Sequence, residues 1–278
     1  MKTSSARYVI FTDLDGTLLD HNSYSCEPAR PALRALKAEG IPLVLCTSKT
    51  RAEVELIRKE LGNRDPFIVE NGAAILIPRD YFPLPIPEAE DSGAFQGIAL
   101  GVPYPKIVVA LQRAAAKSCC PVRGFHNMSV AEIAQQSGLS VRDAKYAKLR
   151  EYDEPFEVLS DEAELVSSLL AEIEQQNLTW TRGGRFYHIR GRHNKGQAVQ
   201  LLSGLFRCAN PQITTVGLGD APNDISLLEA VDVPIVLPPK HGNGSQGLGG
   251  WAASLKRADY PGPRGWNQAV LGLLNSDL

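Results

Sequence analysis

The feature that most restricts this chain is an alternation that breaks off and later resumes. Over the first eighty residues, short apolar runs of strand length alternate with stretches of helical pattern, the rhythm of strand-helix-strand units and so of a parallel sheet. Arg7–Thr12, Ile41–Thr47 and Phe67–Glu70 are predicted strands, and Ala29–Glu39 and Thr50–Leu61 predicted helices. Gly40 and Gly62 close those helices, at the position where helices favour left-handed backbone. Four prolines between Pro78 and Pro87 mark a connection. We expect a domain boundary there, with an α+β insert over residues 85–190. The insert reads as a strand, a helix (Pro105–Lys117), two short helices, a strand, a long helix (Asp161–Gln176) and a hairpin. Ser129 with Glu132 has capping-box spacing, Gly138 follows as a stop, and Ser140 starts the next helix. The hairpin is predicted as Leu178–Arg182 and Arg185–Ile189 joined by Gly183-Gly184. The alternation resumes at Asn194 with helix Lys195–Phe206, strand Ile213–Leu218, helix Pro222–Ala230, strand Pro234–Leu237 and a last helix over Asn267–Leu274. Residues 1–84 and 191–278 should therefore form one α/β, Rossmann-like parallel-sheet core around the insert. Such sheets bind ligands at the carboxyl ends of their strands.

Composition removes several function classes. The chain has 278 residues, and its 29 basic and 31 acidic side chains leave a net charge of -2. It offers no broad cationic surface for nucleic acid. No apolar run approaches the roughly 18 residues of a membrane span, and Met1–Arg7 leads into a strand without signal-peptide character, so a cytoplasmic protein is expected. The five cysteines have no CxxC spacing and read as reduced thiols.

The chemistry is concentrated at predicted strand ends. Asp13-Leu-Asp15-Gly16-Thr17 follows the first strand. Residues i and i+2 of an extended chain project to one side, so both acids can face one ligand, and a divalent cation relieves their repulsion. Gly219-Asp220-Ala-Pro-Asn223-Asp224 repeats the logic after a later strand. Thr47-Ser48-Lys49 ends the second strand and Lys195 opens a helix. A hydroxyl there suits a phosphoryl oxygen, and an ammonium suits an anionic nucleophile and substrate. His126, His188 and His193 fit no zinc spacing.

In this order the four segments resemble the motifs of the haloacid dehalogenase-like phosphotransferases, over nearly the whole chain. The resemblance implies a core with an inserted α/β cap of the second type (C2B). It implies Mg2+ held by Asp13, the Asp15 carbonyl and Asp220, with Asp224 binding directly or through water. Asp13 would be the nucleophile, Asp15 the acid and base, and Thr47 or Ser48 with Lys195 the phosphoryl stabilisers. Expulsion of an alkoxide needs an acid where a dehalogenase needs none, so Asp15 points to a phosphatase.

A narrower resemblance is to the mannosyl-3-phosphoglycerate phosphatases. It rests on Cys46–Glu53, Val69–Ile75, Gly138–Phe156, Thr181–Ile189 and Gly262–Asn267. Asp153 departs from the Ser that precedes Glu-Pro-Phe in that family. The implied reaction is dephosphorylation of mannosyl-3-phosphoglycerate to mannosylglycerate, a compatible solute. Alternatives are a glucosyl-3-phosphoglycerate, sucrose-type or trehalose-type phosphate, or a catalytically silent binding protein. Arg182 and Arg185, flanking Gly183 and Gly184, would grip the glycerate carboxylate. Lys49, Glu70, Asn71, Gly72 and Asn223 complete the expected substrate contacts. The expected partner is this small phosphorylated substrate, with no nucleic acid or membrane, for a monomer or homodimer.

Overall fold

The computed structural model describes residues 6–183, 185–239 and 255–275. Gly184 and the loop Lys240–Gly250 lie outside the described residues. The chain divides into two compact units, one of Met1–Thr47, Asn63–Ala99 and Asn194–Leu278, the other of Ser48–Gly62 and Leu100–His193.

The first unit is built on a sheet of strands β1 (Tyr8–Thr12), β2 (Leu43–Cys46), β3 (Phe67–Val69), β4 (Ala74–Pro78), β5 (Glu90–Ser92), β6 (Phe95–Ala99), β11 (Thr214–Gly219), β12 (Val233–Val236) and β13 (Lys256–Arg257). The second contains β7 (Val122–Gly124), β8 (Asp153–Val158), β9 (Thr179–Gly183) and β10 (Phe186–Arg190). In the first, the spatial order is β13-β12-β11-β1-β2-β3-β4-β6-β5, parallel from β13 to β3 and antiparallel beyond. Every residue of β1 is buried. A central parallel strand is covered on both faces, which is why Tyr8-Val-Ile-Phe-Thr12 is an unbroken apolar run rather than an alternating one. In register, Phe11 lies beside Val44 on one side and Gly217 on the other.

The helices of this unit are α1 (Arg30–Glu39), α7 (Lys195–Ala209), α8 (Ile225–Glu229) and α9 (Gly262–Asn275), while α2 (Arg51–Leu61), α3 (Tyr104–Ser118), α4 (Val130–Ser137), α5 (Val141–Ala147) and α6 (Ala163–Gln175) belong to the second. Asn194 and Gln197 form a capping box at the start of α7, so the backbone N–H groups beside Lys195 are satisfied and the helix begins where its lysine is needed.

Several boundaries differ from the sequence reading. The segment after the prolines returns to the core sheet, since β6 pairs with β4 and β5 with β6; the second unit accordingly resumes at Leu100 rather than 85. Helix α9 begins at Gly262 instead of Asn267, because Pro263 stands in its first turn, where a missing N–H costs nothing. The hairpin register also differs, each residue's partner lying two positions further on. Gly183 pairs with Phe186 and Arg182 with Tyr187, which places Arg185 in the turn. The predicted register would have set Arg182 against Arg185, two like charges directly opposed. The observed one lays the Arg182 guanidinium over the Tyr187 ring at 5.1 Å.

In the second unit the sheet order is β7-β8-β10-β9, all antiparallel. One core gathers Ile107, Leu111, Phe156, Leu169, Ile173 and Ile189; a smaller one gathers Phe125, Met128, Ile133, Ala144 and Phe186.

Candidate active site

The core sheet carries Asp13 just past β1, Thr47 just past β2, and Asp220 just past β11. Sequence distance disappears because β1 lies between β2 and β11. Asp13 N–H still donates to Leu218 carbonyl at 3.0 Å, so the nucleophile candidate stands at the last rung of the ladder. The chain then turns: Gly16 N–H donates to Leu19 carbonyl at 2.9 Å and Leu19 N–H to Leu14 carbonyl at 2.8 Å. Gly16 has φ +83°, and a Cβ there would lie 2.5 Å from Asp220 Oδ2. Glycine is required on both counts.

Lys195 ties the cluster together. Its Nζ donates to Asp13 Oδ1 and to Asp224 Oδ1, each at 2.6 Å, with the ammonium fully buried. The second oxygen of Asp224 accepts from Asp220 N–H at 3.1 Å and Ala221 N–H at 3.0 Å. Asp220 Oδ1 accepts from Thr17 Oγ1 at 2.7 Å. Thr17 belongs to the first acidic motif, yet nothing in the sequence indicated that its hydroxyl would orient a carboxylate some two hundred residues away.

The electrostatics are unbalanced. Burial and the neighbouring Asp224 hold the Asp13 carboxyl well above its ordinary range, although Lys195 pulls it back. Burial likewise raises Asp220 to about 6. Burial alone would depress the Lys195 ammonium, but Asp13 and Asp224 overcome it and the group is raised above its ordinary value. Three carboxylates thus share one cation. Burial pushes the nearby Cys46 thiol up, so it stays protonated and is no nucleophile.

Among the described residues, Asp13, Asp220 and Asp224 form a group whose ligand atoms lie within 4.8 Å of one another. An all-oxygen, excess-negative donor set is what a hard divalent cation takes, so these residues fit such an ion. The Asp15 carboxylate is not part of that group.

The remaining sequence candidates are placed differently. Thr47 and Glu70 are fully buried, and Thr47 carbonyl accepts from Asn71 N–H at 2.9 Å. Asn71 Oδ1 accepts from Asn223 Nδ2 at 3.1 Å, joining the loop after β3 to the Asp220 loop. Gly72, with φ +94°, lets the Asn194 backbone approach so closely that a Cβ would sit 2.1 Å from the Asn194 oxygen. Its requirement is steric, beside the start of α7. Ser48, Lys49, Arg182, Gly183 and Arg185 belong to the second unit, and Gly184 is outside the described residues.

A further support was not foreseen. Trp266 is fully buried, and its Nε1 donates at 3.0 Å to Thr12 Oγ1, which itself donates to Asp13 carbonyl at 2.8 Å. The neighbouring Asn267 Oδ1 accepts from Ala32 N–H in the first turn of α1 at 2.9 Å. Gly265 approaches the Tyr260 carbonyl so closely that a Cβ would lie 1.6 Å from it. Gly262–Asn267 is thus a brace behind the first acidic motif.

Residues 10–83 match the haloacid dehalogenase-like hydrolase family. The chain is 40% identical over 271 residues to a glucosyl-3-phosphoglycerate/mannosyl-3-phosphoglycerate phosphatase of Methanococcoides burtonii, covering 98% of both chains. It is 43% identical over 270 residues to a protein of the same description from Persephonella marina, covering 96% of this chain and 97% of that one. A solved sugar phosphatase of haloacid dehalogenase subclass IIB has the same fold, with a TM-score of 0.62 over 97% of this chain and 99% of that one at 16% identity. With its acidic cluster, its lysine and its full-length relatives, this chain belongs to the haloacid dehalogenase-like hydrolases and is a phosphatase of that family.

Proposed function

We propose that the chain hydrolyses glycosyl-3-phosphoglycerates, with mannosyl-3-phosphoglycerate as the first candidate and glucosyl-3-phosphoglycerate as the second. The substrate class comes from the two relatives that act on both. The observation that carries the chemistry is Lys195 bridging Asp13 and Asp224. It fixes Asp13 Oδ1, and Oδ2 is the oxygen proposed to meet an incoming phosphorus.

In the first step an oxygen of Asp13 forms a bond to phosphorus, the phosphorus–ester oxygen bond breaks, and Asp15 gives its proton to the leaving alkoxide. In the second, water attacks the aspartyl-phosphate, its proton passes to Asp15, and Asp13 is released with inorganic phosphate. Lys195 and the hydroxyl of Thr47 or Ser48 balance charge on the phosphoryl oxygens. Mg2+ is the proposed ion, held by Asp13 and Asp220 with Asp224 binding directly or through water; when bound it supplies positive charge to the carboxylates and phosphoryl group.

The second unit is the proposed substrate-discriminating cap. Arg182 and Arg185, at the hairpin tip, suit a carboxylate. Lys49, Asn71 and Asn223 are proposed to contact the substrate. No helix among the described residues is long and apolar enough to cross a membrane. The free cysteines are at home in a reducing compartment, which supports a cytoplasmic setting.

The test is phosphate release from a panel of mannosyl- and glucosyl-3-phosphoglycerate, sucrose phosphate and trehalose phosphate, with wild type, Asp13→Asn and Asp15→Asn. The two glycosyl-phosphoglycerates should be preferred, and each variant should lose at least about a hundredfold. Near-wild-type turnover by Asp13→Asn would end the covalent route.

A further inference from the structure

Glu70, Asn71 and Gly72, in the loop after β3, have φ 45°, 59° and 94° in succession. Left-handed backbone is uncommon outside glycine, and it persists at functional sites where the surrounding structure over-determines it. The constraints on this turn are visible. Asn71 N–H donates to the Thr47 carbonyl at 2.9 Å, and Ala73 N–H donates to the Val69 and Glu70 carbonyls at 3.0 and 3.3 Å. Gly72 abuts the Asn194 backbone at the start of α7. Glycine would hold the left-handed backbone of position 71 at no steric cost, and Asn is one of the few other residues that visits it routinely. Asn has in addition a side chain that can reach: Asn71 Oδ1 accepts from Asn223 Nδ2 at 3.1 Å. The residue type meets both demands at once.

The partner sits in the loop that carries the acids. Asp224 Oδ2 accepts from Asp220 N–H and Ala221 N–H, and Asp224 N–H donates to the Ala221 carbonyl at 2.9 Å. Residues 220–224 are therefore one compact turn, in which Asn223 moves with Asp220 and Asp224. The strand order β11-β1-β2-β3 puts Asp13 and Thr47 after the two inner strands and the Asn223 and Asn71 loops after the outer two. Those outer strands lie three spacings apart, roughly 14 Å along the sheet edge. Asp13 N–H donates to Leu218 of β11, β1 is laddered to β2, and Asn71 N–H holds Thr47. The amide pair thus closes the four strand ends into a ring. One half-exposed hydrogen bond adds little to folding stability, but closing a ring fixes relative position.

We propose that Asn71 is a positioning residue, whose amide sets the Asp220–Asp224 turn at a fixed distance from Thr47 and so holds the acids and the hydroxyl in register around Asp13. This rests on the phosphatase reading above and deepens it. A residue that sets this distance acts on every phosphate ester, whereas one that touches the sugar acts on glycosyl esters alone. Any contact of Asn71 with substrate is additional.

The experiment compares wild type, Asn71→Gly, Asn223→Ala and the double variant on a glycosyl-3-phosphoglycerate and on p-nitrophenyl phosphate, which has no sugar. Glycine keeps the backbone and N–H of position 71, and Asn223 is exposed, so both single variants should melt near wild type. In each, kcat should fall about tenfold on both esters with KM within about twofold, and the double variant should fall no further. Asn71→Asp, which keeps the accepting oxygen and tolerates the same backbone, should recover part of the loss seen in Asn71→Gly. A loss confined to the glycosyl ester, or losses that multiply in the double variant, would overturn the bridge. The melting temperature of the metal-free protein titrated with Mg2+ reads the same turn without turnover. Its half-maximal rise should need about tenfold more Mg2+ in each single variant and no more than that in the double; an unchanged requirement also overturns the proposal. A wild type that turns over p-nitrophenyl phosphate and not the glycosyl ester rejects the substrate reading alone, and the small ester and the Mg2+ titration still decide the bridge.

Discussion

Lys195 sits where a small side-chain change has the largest consequence, because its ammonium is the only cation bonded to the buried Asp13 and Asp224 in the described structure. Lys195→Met keeps the volume and removes the charge, leaving two buried carboxylates uncompensated. Without a divalent cation the unfolding free energy should fall by about 3–5 kcal/mol, measured in urea, and phosphate release should drop at least about a thousandfold. Adding Asp224→Asn should recover part of the stability and none of the turnover. Gly16 offers a matched comparison with Gly40. Both have positive φ, but a Cβ on Gly16 strikes Asp220 whereas one on Gly40 meets nothing within 4 Å. Gly40→Ala should cost about 1 kcal/mol of stability for its left-handed backbone alone, and Gly16→Ala more, because its Cβ also meets Asp220. Only Gly16→Ala should raise the divalent-ion concentration needed for half-maximal activity, by about tenfold or more; equal effects would mean that Asp220 moves freely.

Elements act here as supports for loops. Helix α9 reaches the site through Trp266, whose indole N–H meets Thr12 behind Asp13. Trp266→Phe removes that donor and part of the buried ring, so a loss of about 1–3 kcal/mol in unfolding free energy is expected. It should be accompanied by a lower kcat with little change in KM, since Asp13 is displaced rather than the substrate pocket. A changed KM alone would disprove the bracing role. Strand β10 carries two jobs by pleat alone: its Tyr187 and Ile189 face the larger core of the second unit, and its Phe186 faces the smaller one.

At the scale of the whole molecule, the site couples folding to protons and metal. Burial raises Asp220 to about 6 and lifts Asp13 above its ordinary range, so without metal the folded state binds more protons than the unfolded one. Such a raised carboxyl contributes stability that is present below its unfolded pKa of about 4 and is lost as pH rises through the folded value near 6. A divalent cation competes with those protons. The melting temperature of the EDTA-treated protein should therefore fall from pH 5 to 7, and the rise produced by adding Mg2+ should grow over the same interval. A Mg2+-induced shift that is independent of pH, or largest at pH 5, would contradict this charge balance.

Apolar run lengths, helix-closing glycines and acids at strand ends made the alternating core, the insert and the principal acids legible in the residues themselves, because these signals are local: period, caps and neighbours i and i+2. Local signals could not say that Asp13, Lys195 and Asp224 would share two hydrogen bonds, that Thr17 would hold Asp220, or that Trp266 would stand behind Thr12. Nor could they assign residues 90–99 to the core sheet or choose the hairpin register. Those outcomes depend on which strands become neighbours and which side chains then compete for the same buried space. Desolvation has meaning only once that space exists, so the same carboxylates that are ordinary acids in the extended chain become an excess of buried charge in the folded one.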